Sequence, residues 1–201
     1  MINFDYLTLR AFVEENIDFL IDSRLQKIQQ PTRRDFILSF RNRQGGRKMY
    51  VNINPSFFHV CFLNDETMKR RDITFPKQPP MFCMLLRKHI ESAKVLDVRV
   101  PYYERILEID FKSSNEFDEN INLTLAIEMM GKYSNVILYN SDTKIILGCA
   151  HNVGSEKSRE REVAGTLPYV YPPEQEYKKD ILRYNGEINY ETLNQDFLGI
   201  S

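Results

Sequence analysis

Two stretches in the middle of the chain constrain its fold more than any other feature. Leu107, Ile109 and Phe111 alternate with Glu108 and Asp110, and Ile121, Leu123, Leu125 and Ile127 alternate with Asn122, Thr124 and Ala126. A period of two places alternate side chains on opposite faces of an extended chain, so both stretches read as sheet strands. Residues 35–40 (DFILSF), 48–53 (KMYVNI) and 57–63 (FFHVCFL) are short, aromatic and β-branched. The turn formers Gln44-Gly45-Gly46 and Asn54-Pro55-Ser56 separate them, which predicts an antiparallel meander. Asn135–Tyr139 and Lys144–Cys149 read as a further hairpin across Asn140-Ser141-Asp142-Thr143.

Two segments break this period. Over residues 3–22, Leu9, Phe12, Val13, Ile17, Leu20 and Ile21 recur at spacings of three and four, one apolar stripe of a helix with Asn3 or Asp5 as N-cap. Residues 64–80 read as a polar loop ending in Pro79-Pro80. The segment MFCMLLRKHIES then places Phe82, Leu85, Leu86, His89 and Ile90 on one helical face. Residues 168–180 read as a linker, and 187–200 begin a weak helical pattern. No internal repeat is visible. The expected fold is α+β: eight or more antiparallel strands in a two-layer, β-sandwich-like arrangement flanked by two helices.

Composition adds exclusions. The chain is 42% hydrophobic and 27% charged, ordinary globular usage for its 201 residues. No apolar run reaches the roughly 18 residues of a membrane span, and the start lacks the order of a secretory signal, so a cytoplasmic protein without membrane contact is expected. Cys61, Cys83 and Cys149 form no CxxC and read as structural thiols rather than disulfide partners or zinc ligands. Net charge is −1, unevenly placed: residues 1–112 carry +5 and residues 113–201 carry −6. The basic half allows a local patch for an anionic partner.

Catalytic signatures are missing. His59 sits in a strand pattern, His89 on the apolar side of a helix and His151 in a turn. No HExxH, GxSxG, P-loop or GxGxxG occurs, so neither an enzyme nor a bound cofactor is expected. Three segments are more polar than their surroundings require: Ser23–Pro31, Tyr102-Tyr103-Glu104-Arg105 and Gly131-Lys132-Tyr133-Ser134-Asn135. From physical chemistry alone these are helix-end charges, a surface ion pair worth about 0–1 kcal/mol, and a turn.

Read together, the segments say more. PPMFCMLLRKHIES (79–92) and IEMMGKYSNVILYN (127–140) resemble the two signature blocks of the NFACT N-terminal domain. Arg24-Leu25-Gln26-Lys27-Ile28 with Gln30-Pro31 resembles an earlier "RIDKIYQP" block, and Arg159–Pro173 its closing "R…PG…Y…PP" segment, with Ala164-Gly165 in place of Pro-Gly. The blocks run in family order over residues 1–173. Residues 174–201 resemble the lead into the family's helix-hairpin-helix region.

The resemblance implies a non-enzymatic RNA-binding module of a ribosome-associated quality-control factor. Such factors bind the large (50S) subunit holding a stalled peptidyl-tRNA and support template-free C-terminal alanine tailing. It implies that the family's Asp-Arg motif falls on Glu104-Arg105, with glutamate one methylene longer. The tRNA-binding residues it suggests are Glu104, Arg105, Arg24, Lys27, Arg87 and Lys88. A guanidinium suits phosphate or a guanine edge, and Tyr102 or Tyr103 suits a stacked base. The family's older reading, an adhesin for fibronectin or fibrinogen, is the alternative. The fold implied is similar to the N-terminal domain of formamidopyrimidine-type DNA glycosylases. Those enzymes use an N-terminal proline followed by glutamate, whereas this chain starts Met1-Ile2-Asn3, so that activity is not expected.

Overall fold

A computed structural model of the chain describes residues 4–101, 103–114, 119–154, 161–173, 178–181, 183–198 and 200. The Asn3 cap, Tyr102 and the Arg159 end of the closing block lie outside the described residues. Helix α1 spans Tyr6–Leu20, and Asp5 caps it by accepting the Thr8 N–H at 2.9 Å. Leu9, Val13 and Leu20 are buried along one stripe, as the spacing predicts. Among the described residues nine strands follow: β1 Arg24–Gln29, β2 Asp35–Asn42, β3 Gly45–Asn52, β4 His59–Leu63, β5 Lys94–Arg99, β6 Ile106–Ser114, β7 Asn120–Glu128, β8 Asn135–Asn140 and β9 Ile146–Cys149. Helices α2 (Asp65–Arg70) and α3 (Met81–Ile90) lie between β4 and β5, and a short α4 (Leu193–Asp196) comes late.

The strands form one sheet in the order β4-β3-β2-β1-β5-β6-β7-β8-β9, with antiparallel neighbours throughout. The α+β class is as expected, but the two layers are halves of a single sheet. Phe36, Leu38 and Val51 of the first half meet Leu125, Ile127 and Val136 of the second, with Leu86 of α3 beside them. Each such buried side chain contributes about 1.5–3 kcal/mol, so one shared core holds the halves face to face.

A repeat absent from the sequence appears in the backbone. Each half begins with a helix, then a residue at positive φ (Asp22, 64°; Ser92, 68°), then a six-residue strand. Each of those strands carries a bulge after its second residue, between Leu25 and Lys27 and between Val95 and Asp97. The halves meet reciprocally. Asp22 N–H donates to Val95 O and Ser92 N–H to Leu25 O, while Leu25 N–H donates to Ala93 O and Val95 N–H to Ser23 O. Bulges sharpen bend and twist, which lets one sheet turn into two layers. The repeat escapes the sequence because little beyond apolar character is shared: Leu20 and Ile90, Leu25 and Val95, Ile28 and Val98, all buried.

Both outer faces are covered. On the first half, Ile37, Tyr50 and Leu63 lie under Met68 and Ile73. Met68 belongs to α2, a helix inside the segment expected to be a loop. Asn64 caps it by accepting the Thr67 N–H, with Asp65 and Glu66 in the first turn and Lys69 and Arg70 in the last. On the second half, Ile106, Ala126, Ile137, Tyr139 and Ile146 lie under Val163 and Tyr169 of the closing segment.

Under that segment the polar positions of the alternating strands are buried. Glu108 is 0% and Glu128 1% exposed. Glu108 accepts hydrogen bonds from the hydroxyls of Tyr139 (2.7 Å) and Tyr171 (2.8 Å), and Arg99 lies 2.8 Å from its second oxygen. Glu128 accepts from Arg161 (2.6 Å) and the Tyr169 hydroxyl (3.0 Å). Tyr139 and Tyr169 stack with centroids 4.3 Å apart. Burial pushes the Glu128 carboxyl above its ordinary range, against the downward pull of Arg161. Burial also raises all three cysteine thiols, Cys149 to about 11, which suits inert core thiols.

Two outcomes follow for stability. Ser92→Val forces a β-branched residue into a left-handed backbone and should cost about 1–3 kcal/mol, whereas Ser92→Gly should leave the denaturation midpoint level or raised. Glu128→Ala strands Arg161 and should cost about 3–5 kcal/mol, and Glu128→Gln, which keeps an acceptor, less. Because the folded carboxyl is raised, its favourable contribution is complete below the unfolded value of roughly 4.3 and is lost as pH rises through the higher folded value. Measured against Glu128→Gln by urea titration, the parent chain should therefore lose relative stability over that rise. A flat difference would contradict the assignment.

Candidate nucleic-acid interface

One end of the sheet gathers the turns that carry the Glu104-Arg105 motif. Between β5 and β6 the chain makes a tight turn, with Glu104 N–H donating to Pro101 O at 3.0 Å and Tyr103 at φ 59°. The Tyr103 ring is buried against Tyr6 of α1, centroids 5.2 Å apart. Arg105 O accepts the Met129 N–H at 2.8 Å, which ties the motif to the end of β7. Beyond Met129 stands a one-turn 3-10 helix, Gly131–Tyr133. Gly131 has φ +58°, and a Cβ there would lie 3.9 Å from Pro55 O, so this turn abuts the β3–β4 loop. That loop is braced by the His59 Nδ1–H donating to Phe57 O at 2.7 Å.

The Arg105 guanidinium is half-buried and lies 5.6 Å from the centre of the Phe58 ring. Burial lowers its pKa, against the fields of Glu104 and Asp5. Among the described residues it makes no hydrogen bond and no ion pair. Its nitrogens are not sealed from solvent, so five N–H donors stand available beside the aromatic face, with Glu104 and Asp5 acting on the charge through their fields alone. Such a group is poised for a ligand that supplies oxygen acceptors, with phosphate the best geometric match.

The other five candidates do not all converge on this point. Glu104 adjoins it. Arg24 is exposed at the joint of the two halves, donating to Ser92 O at 2.9 Å, and lines an open groove with Arg41, Arg43 and Lys94. Lys94 stands opposite Lys112, six residues along β6 from Ile106, so that groove is about 20 Å from Arg105 at the usual strand rise. Lys27 is exposed on β1 opposite Ser39, and Lys88 is exposed on α3. Arg87 is half-buried and its Nε–H donates to Ile28 O at 2.8 Å, fastening α3 to β1.

Sequence reasoning misses Phe58, which only the fold brings to Arg105, and the pairing of Arg161 with Glu128. A signal for the second is present in the alternation, where glutamates at 108 and 128 occupy positions between buried neighbours. Among the described residues no group of three or more His, Cys, Asp or Glu side chains could hold a metal ion. Among them, too, no helix is long and apolar enough to cross a membrane.

Comparison with known proteins gives this geometry a context. The Rqc2 homolog RqcH of Streptococcus pneumoniae serotype 2 is 30% identical over 174 residues, 87% of this chain and 30% of the relative. RqcH of Bacillus subtilis is 28% identical over 210 residues, 99% of this chain and 36% of the relative. The chain thus spans about a third of the length of these relatives. Among solved structures, the N-terminal domain of the fibronectin-binding protein PavA from Streptococcus pneumoniae superposes with a TM-score of 0.85 at 29% identity, covering 99% of this chain and 79% of that one. The N-terminal part of the fibronectin/fibrinogen-binding protein from Streptococcus suis gives 0.86 at 28% identity, covering 99% and 76%. The family described as NFACT N-terminal and middle domains matches residues 5–197, and the chain belongs to it.

Proposed function

We propose that this chain is an RNA-binding module of a ribosome-associated quality-control factor, a binding protein of the cytoplasm rather than an enzyme. In this reading residues 1–173 form the module and 174–201 lead into a further region. The module contacts tRNA while the whole protein engages a 50S subunit with a stalled peptidyl-tRNA and supports alanine tailing. The relatives named RqcH support the setting. The observation that carries the RNA contact is the Arg105 guanidinium, half-buried beside Phe58 with no hydrogen-bond partner among the described residues. Glu104 precedes Arg105 in the same turn, and its field favours the charged guanidinium. The likeness to formamidopyrimidine-type glycosylases would concern fold alone.

A second reading, binding of fibronectin or fibrinogen, draws on the names of the superposing streptococcal proteins. Surface labelling of intact cells separates the two, because a ribosome-bound factor stays unlabelled.

The direct experiment uses the full-length protein carrying Arg105→Ala, Arg105→Lys or Glu104→Asp. Losing charge-assisted hydrogen bonds to phosphate should weaken tRNA binding by roughly tenfold or more, with tailing reduced alongside. Arg105→Lys should recover part of the affinity, since lysine keeps the charge without the fork. Glu104→Asp should stay near wild type. Wild-type affinity and tailing in Arg105→Ala would remove this residue from the RNA contact.

A further inference from the structure

A second feature at the same end of the sheet is a cleft of about 310 Å³ between the β1–β2 turn, the Gly131–Tyr133 turn and the chain after β9. Its volume lies within the range of small-ligand sites, about 300–1,000 Å³. Arg34, Lys132, Tyr133 and Asn152 stand around it, and among the described residues no Asp or Glu lines it.

The polar residues of the GKYSN segment divide into two sets. Ser134 and Asn135 build the floor. The Ser134 hydroxyl accepts the Met130 N–H at 2.9 Å. Asn135 donates to His151 O (2.8 Å) and accepts the His151 N–H (3.0 Å), fixing the opposite wall. Lys132 and Tyr133 stay exposed, with the ammonium 4.8 Å from the ring centre and Tyr133 48% exposed. Arg34 faces them from a pinned backbone, its carbonyl accepting the Ile53 N–H and its amide donating to Thr32 Oγ1. Among the described residues it forms no ion pair with the adjacent carboxylate. Asp35 already accepts hydrogen bonds from Thr32, Tyr50 and Asn52. Two cations and an exposed aromatic residue, in a cleft that no Asp or Glu lines among the described residues, match a phosphate joined to a planar base.

We infer that this cleft binds one nucleotide of a single-stranded RNA segment, its base on Tyr133 and its phosphate between Arg34 and Lys132. The inference rests on the RNA-binding reading above and names a contact separate from Arg105.

Titration of the chain with adenosine 5′-monophosphate, inorganic phosphate and adenosine, followed by amide NMR shifts, tests it. The nucleotide should bind more tightly than either part and shift residues 131–135 and 151–153. Tyr133→Ala and Arg34→Ala, both at exposed positions, should each weaken it roughly tenfold, while Arg105→Ala should not. Equal binding of phosphate and nucleotide, an adventitious ion only, would overturn the proposal, as would no binding or insensitivity to both variants. Intact-protein RNA binding that depends on Arg105, beside a silent cleft, would sink this inference alone. A responsive cleft with an indifferent Arg105 would sink the earlier one alone.

Discussion

Four backbone hydrogen bonds between residues 22–25 and 92–95 join the two halves of the molecule, and most other features depend on them. They come in two reciprocal pairs, so the joint is a local pseudo-twofold within one chain. Left-handed residues at Asp22 and Ser92 let each helix turn back into its strand, and the bulges just beyond let each strand bend away. Side chains follow the same symmetry. Lys94 pairs with Asp22 at 2.6 Å, and Arg24 at the equivalent position reaches the Ser92 carbonyl. Arg24 therefore has a local structural partner, and so does Arg87 through Ile28.

With the joint fixed, the inner faces share an apolar core, while the outer face of the second half is closed by a core that mixes apolar side chains with two buried carboxylates. Burying two carboxylates is costly unless each is paired and hydrogen-bonded. Glu108 and Glu128 have Arg99, Arg161 and three tyrosine hydroxyls between them. These contacts hold the closing segment in one register, because a slip would separate Tyr169 and Arg161 from Glu128 together. The first half needs no such arrangement, since α2 covers it with Met68 and apolar contact.

Much of this architecture is legible in the amino-acid sequence. Period-two alternation marks β6 and β7, and the i, i+3, i+4 stripe marks α1. Family blocks point to the NFACT assignment. The illegible parts have physical reasons. Helix α2 has six residues and no buried side chain, so it shows no apolar period, although Asn64 before two acids is a capping signal. The single folded sheet is hidden because the β1–β5 pairing is nearly all backbone. At the candidate interface, resemblance singles out Arg105 but cannot show that Phe58, 47 residues earlier, is its neighbour. Nor does sequence separate Arg105 from Arg24, since a basic residue reads the same whether it faces a ligand or a carbonyl.

In the proposed mode of binding, RNA meets the end of the sheet that carries Arg105, and not the groove of Arg24, Arg41 and Arg43 about 20 Å away. Site-specific photo-crosslinking decides this most directly, with benzoylphenylalanine placed at Phe57 (63% exposed) or at Arg43 in the intact protein bound to tRNA. Crosslinks from position 57 and few from position 43 are what the geometry requires. The reverse pattern would place the RNA on the opposite end of the sheet and contradict the account.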